Sequence, residues 1–357
     1  MANNKEIIML GCFGGEGKRG GVKTYVESLS AFLKSQGYSL RFVPKSQVAN
    51  NSYSCLIKIK IDSLKTKFPK NAIAIAQRPD HLFMFKLFKK NKAICIIHSD
   101  NIRQINMKKN KIVAGIFRIM EKEGLKRADK IVCVDKGTLY VYLKRYPWIE
   151  SKSIIIPVGV NTANFTPRDR GKCRDSLGIP RDAKIMLAAA RLEKEKNIGS
   201  AIKLVKEYFD LDNHYLLIAG TGNQERELKN HAKSISKAKV IFLGQVRYEK
   251  LPEIISASDV VVVPSILESG PLIIIEAMAC GVPSVSTDVG RANIYIGDSG
   301  CGAVVETTNS QFAEKVRLFL EPNVEIRNNC IEKVSDYTFH KTGIETIKLL
   351  EAVKNEP

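Results

Sequence analysis

The chain has 357 residues and 44% apolar side chains, enough to bury more than one core and to exclude general disorder. Its 56 Lys and Arg against 37 Asp and Glu give a formal charge of +19. Residues 1–170 hold the whole excess, 32 basic against 12 acidic side chains, while residues 171–357 stand at −1, so the first half calls for an anionic partner. The open choices are a membrane surface, a nucleic acid or a phosphorylated substrate. In chain order, short apolar runs predict strands at Ile7–Leu10, Leu40–Val43, Ala72–Ala76, Ala93–Ile97, Lys130–Val134 and Ile154–Ile156. A second series follows at Lys184–Ala189, Tyr215–Ala219, Val240–Leu243, Val260–Val263 and Ser284–Thr287. Helical patterns lie between them, at Val22–Ser35, Ile112–Arg127, Ile198–Phe209 and Pro271–Cys280 among others. Continuous apolar strands alternating with helices predict an α/β chain whose parallel sheets are covered on both faces.

The stretch 157–171 is rich in Pro, Gly and polar residues and falls where one strand–helix series ends. It divides the chain into two doubly wound domains, 1–160 and 165–335, with a tail at 336–357. Within the tail, Ile344, Ile347, Leu350 and Val353 predict a helix over His340–Val353 with one buried face. No apolar run approaches the roughly 18 residues needed to span a bilayer, and Ile7–Leu10 is too short for a signal-peptide core. The eight cysteines form no Cys-x-x-Cys pair and read as small core residues in a reducing compartment, so a cytoplasmic protein without a zinc site is expected.

In doubly wound sheets, ligands bind at the carboxyl ends of strands, and several motifs fall there. Gly11-Cys-Phe-Gly-Gly-Glu-Gly-Lys-Arg-Gly20-Gly21 follows the first strand; it is either a plain loop or a backbone cradle for phosphate. It is neither a Walker loop nor a dinucleotide fingerprint. Arg191 and Lys196 follow the first strand of the second domain, as two cations for a diphosphate or as an ordinary charged helix start. Gly220-Thr-Gly222 lacks a third glycine and reads as a tight turn near a ligand. The densest signal is Val263-Pro-Ser-Ile-Leu-Glu268-Ser269-Gly270-Pro271-Leu272, continuing through an apolar helix that contains Glu276. A carboxylate there needs a partner, either a structural cation or ligand hydroxyls such as those of a ribose. His98 closes Ala93–Ile97 and is a candidate catalytic group or a surface histidine. Asp210-Leu-Asp212 has a metal-binding look but precedes its strand, on the edge away from the expected site, so no metal is assigned.

Together these segments resemble glycosyltransferase family 4, a group of GT-B enzymes, most specifically over residues 184–290. The resemblance implies two Rossmann-like domains facing a central cleft, with the C-terminal helix crossing back onto the first. It implies retaining transfer of a sugar from a nucleoside diphosphate, with UDP favoured over GDP, and with no cofactor or metal. Carried over by position, Arg191 and Lys196 bind the donor diphosphate, helped by Gly20 and Gly21. Glu276 holds the ribose. Glu268, Ser269, Gly270, Pro271 and Leu272 contact the sugar. His98 contacts it near the reacting carbon, and Gly244, Gln245 and Val246 flank the base. Glu268-Ser-Gly-Pro and Asn161 depart from commoner family patterns.

The expected acceptor is a glycan or lipid-linked hydroxyl in envelope polysaccharide or lipopolysaccharide-type assembly. The basic half is expected at an anionic membrane surface on the inner face of the cell membrane, with Ile116, Phe117 and Met120 beside Arg118 and Lys122 as the contact. A different nucleotide-sugar enzyme, such as an epimerase, or a non-enzymatic adaptor are the rival readings. No nucleic-acid recognition module is visible, and nucleic acid is not an expected partner.

Overall fold

The computed structural model describes residues 6–13, 21–47, 52–100, 111–268 and 270–355. The chain divides into two compact units, Met1–Val158 with Phe339–Pro357, and Gly159–Thr338.

The first unit runs β1 (Glu6–Leu10), α1 (Gly21–Ser35), β2 (Ser39–Val43), α2 (Ser52–Lys65), β3 (Ile73–Ala76), α3 (Pro79–Lys86), β4 (Ala93–Ile97), α4 (Lys111–Arg127), β5 (Lys130–Cys133), α5 (Lys136–Arg145), a 3-10 turn at Pro147–Lys152 and β6 (Ser153–Ile155). Its strands are parallel in the order β2-β1-β3-β4-β5-β6. Strands such as β4 are buried along their whole length, which is why they read as unbroken apolar runs.

The second unit continues with α6 (Arg170–Ser176), β7 (Lys184–Ala189), a 3-10 turn at Lys194–Lys196, α7 (Ile198–Tyr208), β8 (His214–Ala219), α8 (Glu225–Ala232), β9 (Lys239–Gly244), α9 (Leu251–Ala257), β10 (Val260–Val263), α10 (Leu272–Ala279), β11 (Ser284–Thr287), α11 (Ala292–Ile296), β12 (Gly302–Val305), α12 (Ser310–Phe319) and α13 (Val324–Val334). The parallel order is β12-β11-β10-β7-β8-β9. Succession from β7 runs one way through β8 and β9, then restarts beside β7 at β10 and runs the other way. The direction therefore reverses between β7 and β10, and the loops leaving those two strands flank a switch point. One core lies on each face of this sheet, around Ile185, Leu187 and Ile274 on one side and Met186, Val205 and Phe312 on the other.

The chain returns to the first unit as α14 (Phe339–Asn355), which packs on α1. Its buried face is the expected one in part. Leu350 and Val353 are buried and Ile347 half-buried, but Ile344 is exposed, and Thr342, Gly343 and Thr346 are buried in its first half. A Cβ at Gly343 would overlap the Phe32 ring, so the missing side chain is what lets the two helices approach. Thr342 donates to the Pro157 carbonyl at 2.7 Å.

Two further expectations change. Strand β12 was not among the predicted strands, because Gly302-Ala-Val-Val is short and follows a glycine-rich turn. On α4, Phe117 is buried and Met120 half-buried, packed with Leu56 and Met84, so neither belongs to an outward face; Ile112, Ile116 and Ile119 do. All eight cysteines are free.

Candidate functional site

The loop after β7 is held down by glycines. A Cβ at Gly220 would overlap the Ala190 carbonyl oxygen, and one at Gly222 would overlap that of Leu192. Gly220 also has φ +141°, which disfavours any other residue. This explains Gly220-Thr-Gly222 as a close-approach turn against the 190–192 backbone. The Leu192 amide donates to Thr221 O at 3.0 Å and the Gln224 amide to Leu192 O at 3.0 Å. Arg191 is thereby placed just past the carboxyl end of β7, its side chain half exposed and 3.8 Å from Glu195.

The same loop is sewn to the one leaving β10. Ile266 donates its amide to Glu195 O at 2.9 Å, and Asn197 Nδ2 donates to Pro264 O at 3.0 Å. Asn197 sits in the left-handed region at φ +52°, where asparagine is among the better-tolerated residues. The result is an ion pair between Lys196 Nζ and Glu268 Oε1, both largely buried, with Ser265 Oγ at 3.5 Å from the same carboxylate oxygen. Thr287 Oγ1 donates to Ser265 O at 2.6 Å and anchors the loop from β11. Two chain segments 72 residues apart thus present a cation, a carboxylate and Arg191 at the switch point.

Downstream, Pro271 is the residue before the first helical turn and not within it; its carbonyl accepts from Ile274 N at 3.1 Å. Gly270 packs closely, with the Tyr295 hydroxyl 3.3 Å from where a Cβ would stand. Leu272 opens α10, and Glu276 is buried within it. Burial pushes the Glu276 carboxyl up to about 7, opposed by a hydrogen bond from Tyr248. Gly244 turns at φ +63°, with Gln245 exposed and Val246 packed against the core. Gly20 and Ser269 lie outside the described residues, while Gly21 is exposed at the start of α1.

In the first unit, His98 follows β4. Its Nε2–H donates to Gln77 Oε1 at 2.8 Å, which leaves Nδ1 as an acceptor. The Tyr25 ring meets it edge-on, with centroids 4.9 Å apart. Burial lowers the imidazole to about 4, so His98 is neutral at pH 7. Gln77 is 1% exposed, and its Nε2 has no partner among the described residues. Sequence reasoning missed Gln77, Asn197 and Tyr248. Gln77 had the signal that flagged His98, a polar residue ending an apolar strand.

Asp210 accepts from the amides of Ser236, Lys237 and Ala238 and from Ser236 Oγ, which holds its carboxyl well below the usual range. It ties two turns together. No cluster of three metal-ligating side chains occurs among the described residues.

Residues 169–336 match the family of glycosyl transferases group 1. The chain is 29% identical over 214 residues to a D-inositol 3-phosphate glycosyltransferase of Geodermatophilus obscurus, covering 57% of this chain and 48% of that one. It is 24% identical over 270 residues to the UDP-Gal:alpha-D-GlcNAc-diphosphoundecaprenol alpha-1,3-galactosyltransferase of Escherichia coli, covering 73% and 68% respectively. The chain thus spans about half the length of the first relative and about two thirds of the second. Among solved structures, sucrose-phosphate synthase from Thermosynechococcus elongatus superposes with a TM-score of 0.80 at 19% identity, over 98% of this chain and 99% of that one. The carboxy-terminal unit is therefore a glycosyl transferases group 1 domain, in a chain with the GT-B fold.

Proposed function

We propose that the chain is a retaining glycosyltransferase that moves a hexosyl or N-acetylhexosaminyl group from a nucleoside-diphosphate sugar, UDP before GDP, to a hydroxyl of a lipid-linked or membrane glycan acceptor. The observation that carries this reading is the placement of Arg191 beside the Lys196–Glu268 pair at the β7/β10 switch point. Charge develops on the departing diphosphate, and cations carried on a backbone already tied down by hydrogen bonds stabilise it. Lys196 turns from Glu268 to phosphate when donor binds, freeing Glu268 for the sugar hydroxyls. Glu276 accepts from the ribose hydroxyls, in addition to its hydrogen bond from Tyr248. The Gly244–Val246 turn flanks the base, and Gly20 and Gly21 bring amides to the phosphates. His98, neutral and held by Gln77, contacts the sugar as a hydrogen-bonding group. No metal takes part in this reading.

The UDP-sugar donor and the lipid diphosphate acceptor named for the E. coli relative support the donor and acceptor classes, as does the +20 of residues 1–170. The enzyme works in envelope polysaccharide or lipopolysaccharide-type assembly, peripherally at the inner face of the membrane. Among the described residues no helix is long and apolar enough to cross one. Thermal unfolding with UDP, GDP and their sugars tests the donor, and UDP is expected to raise the midpoint. If no nucleoside diphosphate does so, the reading fails. Acceptor-dependent release of UDP then separates transfer from epimerisation, and the anomeric configuration of the product tests retention.

A further inference from the structure

Beside α4 lies a surface pocket of about 330 Å³. Gly115, Arg118, Ile119 and Lys122, spaced i, i+3, i+4 and i+7, form its α4 wall, and the opposite wall is Arg145, Tyr146 and Trp148. Its floor is rigid. Glu121 is buried and accepts from Tyr142 at 2.8 Å, Tyr146 at 3.2 Å and Arg145 at 3.0 Å, and Arg145 also pairs with Asp100 at 2.8 Å. The Arg145 charge is thus matched from below. Arg118 and Lys122 on the rim are exposed and have no acidic partner among the described residues, which leaves two cations for an incoming anion.

The surroundings are apolar where a soluble anion site is polar. Ile116 and Ile119 are 53% and 65% exposed on the same stripe, and Trp148 is 41% exposed with Lys152 stacked over it at 5.4 Å. Isoleucines beside cations, with a tryptophan at the edge, are the composition of an element that lies in a lipid interface. The crossover rule sets the direction. β1 to β2 and β2 to β3 move opposite ways across the sheet, so right-handed connections put α1 and α2 on opposite faces. Leu56 of α2 packs with Phe117 of α4, which places α4 on the α2 side and leaves α14 with α1 on the other.

We propose that this pocket binds the phosphate of an anionic phospholipid headgroup, with Arg118 and Lys122 on the phosphate, and Ile116, Ile119 and Trp148 in the acyl boundary. The proposal deepens the membrane part of the proposed function and rests on it for the kind of partner. It differs from diffuse attraction by naming one site on one face.

The test is sedimentation of the full chain with phosphatidylcholine vesicles containing either none or 30% phosphatidylglycerol, about a third. Wild type is expected to bind only the anionic vesicles. Arg118→Ala with Lys122→Ala is expected to lower the partition coefficient about thirtyfold, and Ile116→Ser with Ile119→Ser about tenfold. Lys34→Ala with Lys354→Ala removes the same charge from α1 and α14, both exposed, and is expected to change binding less than about twofold. Equal losses from both charge pairs, equal binding to neutral vesicles, or no vesicle binding at all each overturn the proposal. So does displacement from vesicles by millimolar inorganic phosphate at fixed ionic strength, which makes the ligand a free phosphate. UDP stabilisation of the same variants reports on the donor site separately, so a lost lipid site and a wrong transferase reading give different results.

Discussion

The two units place their cations in opposite ways. In the second, a nearly neutral half, Lys196 is paired with a carboxylate on a loop tied down by backbone bonds to its neighbour. In the first, a large positive excess is spread over exposed helices, and its polar group next to a strand end, His98, carries no charge at pH 7. A leaving group needs few charges at fixed positions, because only preorganised charge lowers a barrier. A surface needs many charges at approximate positions, because screening leaves each worth little alone. On the proposed function, net charge marks where the chain docks, and local placement marks where chemistry is done.

The largest expected effect tests whether the second unit depends on fixed placement. Gly220→Ala puts a methyl group against the Ala190 carbonyl oxygen at a φ of +141°. It should cost about 3 kcal/mol or more by denaturant unfolding and displace the Arg191 loop. A loss under about 1 kcal/mol would show that the loop yields, and placement would then not be the principle. Next comes Arg191→Ala. Its side chain is half exposed, so stability should move by no more than about 0.5 kcal/mol, while turnover falls at least about a hundredfold. Near-normal turnover removes Arg191 from the site.

How much of this was legible follows the same division. The alternation of strands and helices came from hydropathy, since parallel strands buried on both faces cannot be polar. Arg191, Lys196 and Glu268 were legible as charges just past strand ends. What hydropathy hid was contact made by small or polar residues. Leu350 and Val353 were legible and are buried, but Gly343 and Thr346 carry no apolar signal, and they take the buried face of the first half of α14 where Ile344 was expected. Gln77 ends its strand as His98 does, but the bond between them shows only once β3 and β4 lie side by side. On α4, Phe117 and Ile116 are equally apolar, and only the neighbouring Leu56 decides which turns inward.

A third prediction sharpens the cost of keeping a carboxyl dry. Glu276 titrates near 7 when folded against a usual value near 4.5. The folded state then holds the extra proton between those values, so stability falls as pH rises from about 4.5 to about 7 and levels above it. Glu276→Gln should abolish that slope and raise unliganded stability at pH 8 by on the order of 2 to 3 kcal/mol. Donor binding should weaken in the same variant, and in wild type it should weaken as pH drops below 7. A variant that keeps the slope assigns it to another group.

The smallest effect asks whether α14 is part of the first unit or merely rests on it. Tyr25 is buried, its ring is against His98 and Phe339, and its hydroxyl bonds to Thr346 of α14. Thr346→Val keeps the shape, removes that bond together with the one Thr346 Oγ1 donates to Thr342 O at 2.8 Å, and leaves the buried Tyr25 hydroxyl unpaired, at a cost of about 1 to 2 kcal/mol. Because the same ring packs His98, the loss should also appear as a shift of the His98 ring proton resonances, with Gln77 untouched. A helix that only rests on the unit would give up less than about 0.5 kcal/mol and leave those resonances in place. The first outcome makes the tail a working part of the half that carries the charge, fixing one neutral residue in a unit otherwise built to attract.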